Sequence, residues 1–327
     1  MSSPRPTVLL TGSTGVVGAA LLPALAARYE VIALVHRRRP GGGVTCVEGD
    51  LTVESLGLED GPRRELAERV DVIVHCAALT DFAPADLTAF DDVNAEGTRR
   101  VLRLAEEADA PVVLLSSAAA AMDVTEDDLA ARGLRAYGRS KRRAEEVAAA
   151  SGLRVAVVRT ALIFAARDAP APPARQFPHT FLDALLRGRT GGVPVEPDRW
   201  CDVIPMETLV DYLTALTAAQ LRGDTGAPGL HWVTAGPARL TAADMARACV
   251  KVLTEAGRPP TEPLLSAPAV ARARSHGMAR LAQIGFQPPQ QAPLPCDLER
   301  LLPAQLTRAT VLEALEHNVR QCAPRAR

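Results

Sequence analysis

The chain has 327 residues, 47% of them hydrophobic and 23% charged, with a net charge of −1 at neutral pH. That length admits one large domain plus a smaller lobe, and the near-zero charge removes the electrostatic case for nucleic acid or an anionic membrane. No apolar run is long enough to span a bilayer, and MSSPRPTVLL lacks the basic and apolar marks of a signal segment, so a cytoplasmic location is expected.

In chain order, the strand-like runs are TVLL (7–10), EVIALV (30–35), VTCV (44–47), DVIVH (71–75), PVVLLS (111–116) and LRVAVVR (153–159). Helical periodicity fills several of the gaps, at 18–29, 87–108 and 137–151, with Pro23 predicting a kink in the first helix. Strands that are apolar on both faces belong to a parallel sheet covered by helices, and repeated β-α-β order selects a Rossmann-type, doubly wound α/β fold. The rhythm changes after Arg159, where DAPAPPARQFPHT (168–180) reads as an irregular connection. Residues 1–166 are therefore predicted to form the dinucleotide-binding domain. Residues 167–327 form mainly a substrate-binding lobe, with a stretch near 206–234, including a strand at LHWVT (230–234), returning to the sheet. The six cysteines are scattered without a CxxC pair and read as reduced residues. The six histidines show no metal-ligand spacing, so no metal is expected.

The first strand runs directly into TGSTGVVG (11–18). A glycine loop is by itself weak, and a plain βα turn is the alternative. Between a strand and a helix, however, its backbone N–H groups can cradle a pyrophosphate. Gly12 would make the turn, Gly15 would admit the phosphate and Gly18 would seat the helix against the strand. Thr14, near the start of the helix, is a cofactor-binding candidate in the same loop. The second strand ends in VHRRRP, with His36, Arg37 and Arg38 where NAD-binding chains usually carry an acid. Guanidinium groups grip a 2′-phosphate, so NADP (NADPH) is favoured over NAD, against the alternative of a solvated basic loop. Asp50 and Leu51, in EGDL, sit where a loop could meet adenine, and Ala77 and Ala78, in HCAAL, would let the chain pass close to the cofactor.

YGRSK (137–141) is predicted to open a helix and to project Tyr137 and Lys141 from one face. Only two of the 37 basic residues are lysine, which marks Lys141 as chemically required. A phenol is a poor base at neutral pH, and a neighbouring ammonium favours its phenolate; in the reducing direction the phenol gives its proton away. LLSSAAA (114–120) offers Ser117, or as the lesser candidate Ser116, to orient a substrate oxygen. Asn94, in NAEGT, either joins a proton relay or ties a helix to its neighbouring strand.

Taken together, TGSTGVVG, EGDL, HCAALTDF, NAEGTRRVL, LLSSAAA and YGRSK, in this order over some 160 residues, resemble the extended branch of the short-chain dehydrogenase/reductase superfamily. The resemblance implies a seven-stranded Rossmann sheet with a C-terminal substrate lobe. It places Ser117, Tyr137 and Lys141 at the catalytic positions, and Thr11, Gly12, Gly15, Val16, Val17, Gly18, Asp50 and Leu51 in the cofactor-binding segments. Dimers through helices like those at 87–108 and 137–151 are common there. AALTDF followed by NAEGTRRVLRLA looks most like the carboxyl/thioester reductase-like subgroup, whose members reduce carrier-bound acyl thioesters with NADPH. Nothing in the chain looks like a carrier domain, so a carrier would be a separate protein, and RTALIFAA (159–166) lacks the proline or glycine common after that strand.

The leading expectation is an NADPH-dependent reductase of a carbonyl, aldehyde or acyl thioester. An epimerase or dehydratase of the nucleotide-sugar type, retaining NAD, is the second reading. A non-catalytic dinucleotide sensor is the third. Asp81, Phe82, Phe164, His179 and Trp200 are candidates for a small-molecule substrate pocket, each equally readable as a packing or surface residue.

Overall fold

The structure, a computed structural model, describes residues 5–80, 86–122, 129–169, 177–187, 192–224, 226–227, 229–266 and 285–323. The chain divides into two units: residues 1–160, 209–233 and 300–302 form the first, and residues 161–208, 234–299 and 303–327 the second.

In the first unit the aliphatic runs pair into one parallel sheet of β1 (Thr7–Thr11), β2 (Glu30–Val35), β3 (Thr45–Glu48), β4 (Val72–His75), β5 (Val112–Ser117), β6 (Val155–Thr160) and β7 (Gly229–Val233). The spatial order is β7-β6-β5-β4-β1-β2-β3. Every residue of β1 and β4 is buried, as expected for strands with helices on both sides. The helices of this unit are α1 (Val16–Ala26), α2 (Asp60–Arg69), α3 (Gly97–Glu107), α4 (Leu129–Ala150) and, from Leu209 on, α5 (Met206–Arg222). Leu9, Ile32, Ile73, Val112 and Leu114 of the strands pack with Leu66 of α2, Val101 and Leu104 of α3 and Ala148 of α4 in one core cluster. Each such side chain contributes about 1.5–3 kcal/mol by leaving water.

Thr11 is in register with His75, and Ser116 and Ser117 with Arg159 and Thr160, so the carboxyl ends of β1, β4 and β5 lie side by side. Chain direction through the sheet reverses between β1 and β4, the place where open α/β sheets bind their ligands.

Local details differ from the sequence expectations. α1 continues through Pro23, which lies on its exposed side, where solvent takes the Ala19 carbonyl left without an N–H partner. YGRSK does not open its helix: α4 starts at Leu129, because LAARGLRA ahead of Tyr137 is already rich in good helix formers. The segment before α3 winds into a π-helical turn, Asp91–Glu96, carrying Asn94.

The second unit holds three two-stranded pairings, Leu162–Phe164 with Val203–Pro205, Trp200–Cys201 with Leu240–Thr241, and Val193–Pro194 with Leu265–Ser266. The supposedly irregular 168–180 stretch yields to a helix at Phe177–Leu186, where Pro178 sits in the first turn and costs no hydrogen bond. The Phe181 and Phe286 rings, tilted at 56° with centroids 4.7 Å apart, pack in the core of this unit. A capping box of Thr241 and Asp244 starts the helix Ala242–Glu255, which Lys251 joins to the helix Arg308–Cys322 through Glu316.

Candidate active site

The loop between β1 and α1 is shaped by close approach. Gly12 has φ of +73°, and a Cβ there would lie 2.6 Å from the Ala77 nitrogen; a Cβ on Gly18 would lie 2.1 Å from the Gly12 carbonyl oxygen. Gly18 therefore lets α1 pack on the loop itself, one step away from the strand contact expected from sequence. Gly15 is the N-cap of α1, and Val16 and Val17 form its exposed and half-buried first residues. A cleft of about 440 Å³ opens in front of this loop, lined there by Thr11, Gly12, Ser13 and Thr14. Ser13 is buried, and its hydroxyl oxygen has no hydrogen-bond partner. An orphaned hydroxyl beside a helix N-terminus and a glycine turn fits a phosphate oxygen. Gly15, Val16, Val17 and Gly18 are not among the lining residues; they shape the loop from behind.

On its other sides the cleft is bordered by His36, Arg37 and Arg38 after β2, by Asp50 and Leu51 after β3, and by Ala77 and Ala78 after β4. His36 Nε2 lies 3.2 Å from the Asp50 carboxylate. Asp50 also accepts from the Thr52 backbone N–H at 2.9 Å and from its hydroxyl at 2.8 Å. The Thr52 backbone bond comes first among the causes that hold the Asp50 carboxyl below its ordinary value, and His36 and Arg37 add to it. Arg39 turns away to Glu48. Among the described residues neither Arg37 nor Arg38 forms an ion pair, so both guanidinium groups stand exposed at the cleft.

At the end of β5, Ser117 stands beside the Tyr137 phenol, close enough to act on its titration, and accepts from the Ala119 N–H at 3.2 Å. Tyr137 is 8% exposed, and burial raises its phenol above the ordinary value, with Ser117 opposing. Lys141, one turn along α4, is 4% exposed and donates to the Leu115 carbonyl at 2.6 Å. Burial lowers the lysine to about 8, while Cys76 and Glu145 pull it back up. Ser116 faces elsewhere and bonds Glu145.

Asn94 accepts from the Leu79 N–H at 2.7 Å and donates to the Leu79 carbonyl at 3.2 Å and to Ser140 at 2.9 Å. Ser140 in turn donates to the Tyr137 carbonyl at 2.7 Å. Through Asn94 the first three bonds link the chain after β4 to α4, and the fourth lies within α4; this is the tying arrangement rather than a contact with the Tyr137 hydroxyl.

His75 was not singled out from sequence, yet it joins the two halves of this region. It lies 2.7 Å from the Thr11 hydroxyl through Nδ1 and 3.2 Å from the Thr98 hydroxyl through Nε2. Thr98 gives its hydrogen to the Asn94 carbonyl, so Nε2 donates to Thr98 and Nδ1 accepts from Thr11. Thr11 also accepts from the Ala77 N–H at 3.1 Å. Burial, with the Lys141 charge adding, lowers His75 to about 3 and keeps it neutral.

Of the substrate-pocket candidates, Asp81 and Phe82 lie outside the described residues. Phe164, His179 and Trp200 belong to the second unit and are buried at 0%, 3% and 2% exposure. His179 pairs with Asn318, and Trp200 donates to the Pro288 carbonyl with Arg239 over its ring. All three pack as core residues. Among the described residues no group of three metal-ligating side chains converges, and no helix is long and apolar enough to cross a membrane.

The family described as male sterility protein, an NAD-binding family, matches residues 42–213. The chain belongs to this family. It stands within the extended short-chain dehydrogenase/reductases, in their carboxyl reductase-like subgroup. Two relatives of known description match in part. Equisetin synthetase of Fusarium heterosporum is 37% identical over 109 residues, 30% of this chain and 3% of that protein. Glycine betaine reductase of Emericella nidulans is 34% identical over 139 residues, 34% of this chain and 11% of that protein. The chain thus matches only a small part of the length of either. Among solved structures, the terminal R domain of the myxalamid PKS-NRPS pathway superposes with a TM-score of 0.69 at 18% identity, covering 100% of this chain and 93% of that one. At that identity the likeness shows the fold.

Proposed function

We propose that this member of the family is an NADPH-dependent reductase acting on a carbonyl, an aldehyde or an acyl thioester, the last presented on a separate carrier protein. The observation that carries the reading is Tyr137 and Lys141 buried one turn apart on α4, with Ser117 at the end of β5 beside the phenol. The relatives add to it, since a reductase and a pathway's terminal R domain are among the proteins this chain resembles.

In this reading Thr11, Gly12, Ser13, Thr14 and the start of α1 hold the dinucleotide phosphates, Asp50 and Leu51 the adenine side, and Ala77 and Ala78 the middle of the cofactor. Arg37 and Arg38 take the 2′-phosphate, with His36 beside them on Asp50. Bound NADPH supplies the hydride. The chain's own residues handle the proton. Ser117 bonds the substrate oxygen and holds it against Tyr137, whose buried phenol stays protonated at neutral pH and gives its proton to that oxygen as charge develops there. The Lys141 ammonium stabilises the phenolate left behind. Asn94 serves as a positioning residue, fixing α4 through Ser140 and the Tyr137 carbonyl.

Two measurements test this. Equilibrium titration of the purified protein should show NADPH bound far more tightly than NADH. Tyr137→Phe should lower NADPH-driven reduction of an acyl-pantetheine thioester or its aldehyde by about 10²–10⁴-fold while leaving NADPH affinity unchanged. Wild-type turnover in that variant removes the proton-donor assignment, and equal affinity for the two dinucleotides removes the NADPH assignment.

A further inference from the structure

Three consecutive residues of β5 each meet a different member of a series on α4. Ser117 stands beside Tyr137, the Leu115 carbonyl takes the Lys141 ammonium at 2.6 Å, and the Ser116 hydroxyl donates to Glu145. Tyr137, Lys141 and Glu145 are spaced i, i+4 and i+8, so one helix face presents a phenol, an ammonium and a carboxylate in that order. The first two have roles in the proposed reaction. The carboxylate does not.

Glu145 is 12% exposed at the side chain, and its charge is fixed from the far side. Arg159 of β6 donates to it through Nε at 3.0 Å and Nη2 at 2.6 Å. The Arg159 guanidinium in turn lies 4.9 Å from the centroid of the Trp232 ring on β7. Ser116, Arg159 and Trp232 occupy one row across the sheet, each in register with the next. A buried carboxylate held by a hydroxyl and a bidentate guanidinium is costly to build without a purpose, and packed apolar side chains would stabilise the fold as well.

The groups facing Lys141 supply that purpose. From β4 come His75, kept neutral, and Cys76, whose thiol burial pushes up to about 12. From β5 come the Leu115 carbonyl and the two serine hydroxyls. From α4 come the Tyr137 phenol, protonated, and Glu145. From β6 comes Arg159, one residue further off and of the same sign as the lysine. At neutral pH Glu145 is the anion of this set.

We propose that Glu145 is a positioning residue that keeps Lys141 an ammonium next to Tyr137, and that Ser116, Arg159 and Trp232 hold Glu145 in place to do so. The inference rests on the reading of Tyr137 and Lys141 as the proton-delivering pair. Burial opposes the ammonium, and a lysine at about 8 keeps its charge at pH 7 by only about tenfold. Removing the carboxylate from this face narrows that margin.

The sequence makes the test direct, because Lys141 and Lys251 are the only lysines. Protein labelled with carbon-13 lysine shows two side-chain signals. Lys251, in an ion pair with Glu316 at 2.7 Å, is the internal reference. In the wild-type protein the Lys141 signal is expected to titrate below the ordinary lysine value. Glu145→Gln is expected to move the Lys141 midpoint acidward by about one pH unit or more, leave Lys251 in place, and move the basic limb of kcat/KM acidward by the same amount. The sign separates this from loss of packing: a loosened site hydrates the lysine and moves its midpoint upward. A midpoint that stays or rises overturns the proposal. Should Glu145→Gln not fold, Glu145→Asp draws the carboxylate back by one methylene and gives a smaller shift of the same sign, with the same refuting outcome. Lys141→Met separates the two readings. Full turnover in that variant removes the catalytic lysine and leaves the titration result standing, whereas an inactive Lys141→Met beside an unmoved Glu145→Gln midpoint removes only the role of Glu145.

Discussion

Acid should unfold this protein partly through His75. The ring is buried between Thr11 and Thr98, donates at Nε2 and accepts at Nδ1, and among the described residues no carboxylate pairs with it. A second ring proton would compete at Thr11 with the bond from Ala77, and the Lys141 charge repels it. Burial and that charge place the folded-state value at about 3, against 6.5 for a free histidine. A folded-state value below the unfolded one means that the unfolded chain binds the proton first. The contribution is therefore fully present above about pH 6.5 and is lost progressively as the pH falls toward 3. The whole window is worth up to about 4–5 kcal/mol, and about 2 kcal/mol of it disappears between pH 7 and pH 5. The perturbation is His75→Gln, which keeps a donor and an acceptor but does not titrate. Urea unfolding followed by far-UV circular dichroism at the two pH values gives the comparison. The variant will be less stable than wild type at pH 7, from imperfect geometry, and that offset does not depend on pH. Wild type should lose about 2 kcal/mol more than the variant between the two conditions, since every other titrating group is common to both. Equal losses in the two proteins would refute the assignment of a neutral, strongly shifted His75.

The double variant Arg37→Ala, Arg38→Ala should weaken NADPH by about 10–100-fold and leave NADH within a factor of two, because a 2′-phosphate is the group these side chains would hold by charge-assisted bonds. Equal losses for both dinucleotides would place the arginines elsewhere in the interaction. Gly18→Ala puts a methyl group 2.1 Å from the Gly12 carbonyl oxygen, so the loop or α1 must move. It should cost about 1–3 kcal/mol of stability together with measurable NADPH binding; a variant with wild-type melting temperature and affinity would show that the loop tolerates the displacement.

How much of this was legible in the sequence follows from the range of each interaction. The sheet was readable because VLL (8–10), VIV (72–74) and VVLL (112–115) are apolar without a break, as strands buried on both faces are. Gly12, Tyr137 and Lys141 were readable because their spacings are short and fixed by a turn or by one helix face. Ser13 passed unnoticed because burial without a partner has no sequence signature. His75 passed because both its threonines come from other elements, Thr11 lying 64 positions earlier and Thr98 23 positions later. The start of α4 was missed because the YGRSK pattern draws attention to Tyr137, while the helix is set by the plain residues ahead of it.

The paired serines show the same limit at its finest scale. Ser116 and Ser117 are identical in type and adjacent, and successive side chains of a strand point to opposite faces. Which one meets Tyr137 therefore depends on where β5 ends and how α4 lies across it, and neither is fixed locally. The structure sets Ser117 beside Tyr137 and bonds Ser116 to Glu145. Register divides two equal hydroxyls between two places. A one-residue slip of β5 would move one serine into the other's place, bring Leu115 or Ala118 into the vacated one, and cost the Leu115 bond to Lys141 at the same time. The two serines and the lysine thus constrain one another: the strand register that places a hydroxyl beside the phenol also seats the ammonium and its carboxylate.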